Sequence, residues 1–146
     1  MISDFEYLFS KISNEDKESL RLLNDQLVAC VIAIIAYLLF YQSTYEGIEL
    51  ILNKYRGEET KNIEPDVLSV ESAYLFLIAR LIFTNIAATR YNIVYNRAIN
   101  GDINFSIEPN WNILMGNIFD MIADVYFIIG AESIYHRDIS QPIFGM

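Results

Sequence analysis

Between Leu27 and Tyr41 the chain reads LVACVIAIIAYLLFY, fifteen residues without a charged or amide side chain. As a helix this stretch is apolar on every side, a pattern that belongs to a buried core element or a membrane span. At 1.5 Å per residue it is roughly 22 Å long, short of the ~20 residues a span usually takes. Adding Gln42, Ser43, Thr44 and Tyr45 brings it to span length, with the polar residues gathered at one end. The rest of the chain must hide this surface from water.

The flanks of the stretch carry helix signals. Ser13 has the position of an N-cap, and Glu15, Asp16 and Glu18 follow where the helix dipole favours anions. Gly57 suits a C-terminal stop. A helix is therefore expected over about 14–56, with a bend or break near 42–47, where Gln42–Thr44 and Gly47 interrupt the apolar run. Upstream, Phe5, Leu8, Phe9 and Ile12 recur at helical spacing and predict a short N-terminal helix.

A polar loop, GEETKNIEPD, leads to a second helix over 66–98, which Asn100–Gly101 ends. Pro109–Asn110 opens a third helix, expected over 110–137. Between these two, Ile103, Phe105 and Ile107 form the one alternating segment, too short for a strand. The expected fold is all-α: a single domain over 1–146, built as a helical bundle of three long helices that oligomerisation completes.

The formal charge of −9 lacks the basic face that a nucleic acid partner requires. Cys30 is the single cysteine and lies inside the apolar stretch. It is expected to act there as a small, inert hydrophobe in a reduced intracellular setting. The opening residues, MISDFEYLFSKISNEDKE, have no basic leader followed by an apolar run, so no signal peptide is expected.

Two environments compete for the apolar belts Leu27–Tyr41, Ala73–Phe83 and Ile113–Ala131. A mean hydropathy of +0.26 pulls toward the membrane. So do the aromatic margins of Tyr41, Tyr45, Tyr74, Tyr91, Tyr95, Trp111 and Tyr135. Tyrosine also suits the half-buried boundary of a soluble bundle.

Insertion energetics cut the other way. Arg80, Asp120 and Asp124 sit mid-belt, and each charge costs roughly 2.5–3.5 kcal/mol at a span centre, against about 0.3–0.6 kcal/mol returned per large aliphatic side chain. Lysines and arginines are spread evenly among the loops, so the positive-inside rule finds no orientation. On this balance the chain reads as a cytoplasmic, obligate homo-oligomer, since three helices cannot by themselves wrap a fully apolar one. The alternative is a small three-span integral membrane protein.

Candidate chemistry concentrates on two helix faces. Asn117, Asp120, Asp124 and Tyr135 share a narrow face of the third helix. Arg80 and Thr84 lie on a face of polar and small residues on the second. Together they predict a buried polar track in which Arg80 pairs with Asp120, Asp124 or both. Structurally such a pair fixes helix register; in a membrane it marks an ion or proton path.

Glu132 and His136 have the i, i+4 spacing to share a metal. The Glu-x-x-His motifs of di-iron bundles are absent, so neither a metal nor a cofactor is expected. The glycines form no phosphate-binding fingerprint. No base lies near Cys30 in sequence, so no enzymatic activity is expected. The reading is a non-enzymatic helical protein acting by binding or assembly, as a small scaffold or acidic inhibitor-type partner. Its alternative is an oligomeric membrane channel or transport component around Arg80, Asp120 and Asp124.

Overall fold

The computed structural model describes residues 12–57 and 65–140, with side chains to 137. The described chain is three long helices: α1 (Asn14–Arg56), α2 (Pro65–Ile99) and α3 (Glu108–Ser140). No strand occurs among the described residues. The short helix expected over Phe5–Ile12 falls, but for Ile12, outside them.

The helix ends follow from local chemistry. The Ser13 backbone is extended and its hydroxyl accepts the Asp16 N–H at 3.1 Å, satisfying one donor that the first turn leaves orphaned. Gly57 closes α1 at φ 68°, and its N–H donates to the Asn53 carbonyl. A side chain at that position would resist the left-handed backbone. Before α3, the Ser106 hydroxyl accepts the Glu108 N–H at 3.1 Å.

Helix α1 does not break at 42–47; it runs unbroken for 43 residues. The polar residues there find partners without opening the helix. Thr44 donates back to the Phe40 carbonyl at 3.0 Å, and Gln42 donates to Glu46 at 2.8 Å. Ser43 turns toward α2, where its hydroxyl donates to the Pro65 carbonyl at 2.7 Å and meets the Ser69 hydroxyl at 2.6 Å.

The three helices also do not close into a bundle. Both α1 and α3 pack on α2, and the α1 and α3 backbones do not come within packing distance of each other. The reason lies in α2, which carries two buried heptad rows one residue apart: Ser72, Ala79 and Ile86 in one, Ala73 and Ala87 in the other. Successive residues differ by about 100° around a helix, so the two rows face different directions. Contacts across the helices sort the same way. Ser69, Phe76 and Arg90 reach α1, whereas Arg80, Thr84 and Tyr91 reach α3.

On α1 the matching row is Leu22, Ala29, Ala36 and Ser43, all buried. Its small residues let the two backbones approach closely. Gly116 and Gly130 of α3, which have the same spacing potential, are exposed and meet nothing within 4 Å.

Antiparallel packing brings the apolar belts to one level. On α1, Gln26 accepts a hydrogen bond from Arg90 at 3.2 Å, while Ser43 meets Ser69 at the opposite margin. Between α2 and α3, Tyr91 and Trp111 mark the first margin, with ring centroids 5.5 Å apart. The Tyr74 hydroxyl donates to Glu132 at the other. From Gln26 to Ser43 is about 25 Å of helix, close to the ~30 Å hydrocarbon core of a bilayer.

Within that level the surface is apolar. Leu27, Ile34 and Leu38 of α1 are each about 60% exposed, as are Phe119 and Phe127 of α3. Only 17%, 17% and 11% of the most apolar stretches of the three helices are buried, and all three helices are long and apolar enough to cross a membrane.

Cys30 is exposed on α1, where α2 covers only the Ala29–Ala36 side. From the sequence, its cover is expected from a partner or a membrane rather than from this chain. A membrane-impermeant maleimide should therefore label Cys30 slowly in the native membrane or assembly and quickly after denaturation. Fast native labelling would show water at the centre of the belt.

Candidate functional site

At mid-belt, α2 and α3 bring three charges together. Arg80 lies 3.0 Å from Asp120 (Nη1 to Oδ2) and 3.6 Å from Asp124 (Nε to Oδ2). The spacing follows from the helices themselves. The aspartates are four residues apart, so they sit one turn apart on one side of α3, and the guanidinium fork of Arg80 extends between them from the facing helix. Arg80 side chains of this kind cannot lose their charge, so the carboxylates are what make its position tolerable.

The two contacts differ. Asp120 is the nearer carboxylate but is 56% exposed, whereas Asp124 is 19% exposed. Arg80 Nε and Asp124 Oδ2 are both buried, and at 3.6 Å they fall beyond hydrogen-bond reach. Asp120 makes the shorter and more exposed ion pair with the guanidinium, and Asp124 the longer and more buried one.

The other members of the expected track are not joined to this cluster by side-chain hydrogen bonds. Thr84 donates to the Arg80 carbonyl at 2.8 Å, and lies 3.4 Å from the Asn117 carbonyl. The Asn117 amide donates to the Ile113 carbonyl at 2.9 Å. Both side chains thus serve helix backbone at the α2–α3 seam. Tyr135 stands eleven residues beyond Asp124, about 16 Å along α3, with its ring 5.6 Å from that of His136.

Glu132 does not face a metal partner; it accepts the Tyr74 hydroxyl across the seam. Among the described residues no three His, Cys, Asp or Glu side chains gather as a metal site would require.

The gap between α1 and α3 is a cleft of about 740 Å³, with the α1-facing and α3-facing sides of α2 as its floor. Arg80 and Asp124 lie at one end and Asp66 and Ser69 at the other, with aromatic side chains between them. Tyr37 and Phe76 meet edge to face across the α1–α2 wall, ring centroids 4.7 Å apart. Phe40 belongs to the same wall, and Tyr126 and Phe127 stand on the α3 side.

Sequence reasoning did not anticipate the cleft. Its signal is the one-residue offset between the heptad rows of α2, which places α1 and α3 on different faces and leaves Phe76 between them.

Comparison with models of known protein families, with curated proteins and with solved structures finds no match.

Proposed function

We propose that this chain is a three-span integral membrane protein that assembles with copies of itself, and that the Arg80–Asp120–Asp124 cluster and the adjoining cleft form the polar interior of a small channel or transport component. One observation carries the reading. At a shared level about as thick as a bilayer, apolar side chains face outward on all three helices, while Arg80 turns toward Asp120 and Asp124 and lines the cleft with Asp124.

The pairing also changes the insertion arithmetic. Three separate mid-belt charges weigh heavily against insertion, but an arginine paired with two carboxylates is an arrangement in which spans tolerate ionisable residues. The exposed carboxylate of Asp120 supports self-assembly, because a charge at that depth requires either water or another protein surface.

Alkaline carbonate extraction of membranes from expressing cells tests the reading. The chain should stay in the membrane pellet at high pH and enter solution only with detergent. Recovery in the carbonate supernatant would exclude the membrane reading. It would favour the second one, a water-soluble homo-oligomer acting as a scaffold or acidic partner, for which the insertion cost of the mid-belt charges speaks.

A further inference from the structure

We propose that the cleft is a binding site for hydrophobic organic cations, an inference that rests on the membrane-transport reading above and names its substrate class. Size is the first argument. At about 740 Å³ the cleft falls within the range of sites that enclose small organic molecules, roughly 300–1,000 Å³.

Its wall chemistry is the second. Tyr37, Phe40, Phe76, Tyr126 and Phe127 line one continuous space, and aromatic faces attract cations through their quadrupoles in addition to shedding water. Aliphatic side chains would serve a lipid tail as well, without favouring a charge.

Charge is the third argument and fixes the sign. At the inner end of the cleft two carboxylates share one guanidinium, leaving the cluster with an excess negative charge. Arg80 and Asp124 both line the cleft at this end, and the second carboxylate, Asp120, stands 3.0 Å from the same guanidinium. A cation entering between the aromatic walls would approach a cluster in which two carboxylates outnumber one guanidinium. An anion would approach the same excess negative charge.

Tetraphenylphosphonium and tetraphenylborate have nearly the same size and shape and opposite charge, so they isolate the sign. Equilibrium binding of each to the purified full chain, with binding to protein-free micelles subtracted, should be saturable for the phosphonium and at least tenfold weaker for the borate. Phe127→Ala removes an exposed aromatic wall residue and should weaken phosphonium binding about five- to tenfold. Asp120→Asn should produce a loss of similar size, because it removes the excess negative charge of the cluster.

Phe119→Ala removes an equally exposed aromatic outside the cleft and should change nothing. Asp124→Asn, the most direct variant, is read only alongside these, since it also alters the packing around Arg80. Equal or tighter binding of the borate would overturn the proposal. So would absence of saturable phosphonium binding, or affinities that Phe127→Ala and Asp120→Asn leave unchanged; in those cases lipid or a second copy fills the cleft. Carbonate extraction reports separately on the membrane reading, so either inference can fail alone.

Discussion

Arg80→Ala is expected to destabilise the protein by roughly 2–4 kcal/mol, measured as the shift in an unfolding titration in mixed micelles. Removing one partner of a buried ion pair typically costs about 3–5 kcal/mol, because the charge left behind loses its compensation. The range is placed lower here because Asp120 is more than half exposed and recovers part of its solvation. Most of the loss should come from Asp124, whose carboxylate is left in partly buried surroundings.

A triple variant combining Arg80→Met, Asp120→Leu and Asp124→Leu should recover most of the stability, as apolar replacements of buried ionic groups often do. If that variant is stable and assembled but inactive in transport, the charges are retained for function. An Arg80→Ala protein as stable as the parent would mean that the contacts contribute nothing to holding α2 against α3.

The second large effect is expected at the α1–α2 seam. Ala29 and Ala36 are completely buried, and the row they form sets how closely the two helices approach. Ala36→Phe has no space to enter and must push α1 away from α2. Overpacking of this kind costs typically about 1–3 kcal/mol, and a helix pair held by small residues belongs at the upper end. Gly116→Leu, a larger change in volume, should cost little within one chain because nothing lies within 4 Å of Gly116. Thermal unfolding of both variants by circular dichroism checks the contrast. Equal losses would place Gly116 in a contact between copies, and an unaffected Ala36→Phe would contradict the seam.

Local signals in the sequence locate the helices well. Ser13, Gly57 and Gly101 act through their own backbone geometry, so residue type is nearly sufficient to mark those ends. The Arg80 contact is legible too, because a charge in an apolar belt has few partners to choose from and Asp120 and Asp124 share its level.

Which helix touches which is not legible. Each helix is apolar nearly all round, so its wheel gives little direction, and a closed bundle fits the pattern as well as an open layer does. Continuity of α1 through Gln42–Gly47 depends on Ser43 reaching Ser69 and Pro65 across the seam, a contact that no local rule contains. The same holds for the pairing of Tyr74 and Glu132 across the α2–α3 seam.

Because the α1 and α3 backbones stay apart, α2 is shared by two helical hairpins. Backbone packing couples them through α2, as it couples neighbours in a repeat array. During synthesis the α1–α2 hairpin can complete its own contacts before α3 has left the ribosome. Loss of α3 would leave that hairpin intact but strip Arg80 of both counter-charges, so the first hairpin is born carrying an uncompensated cation at its centre. On the membrane reading proposed above, the docking of α3 is then the event that gives Arg80 its counter-charges, and a quality-control system that senses an unpaired intramembrane charge would read its absence directly.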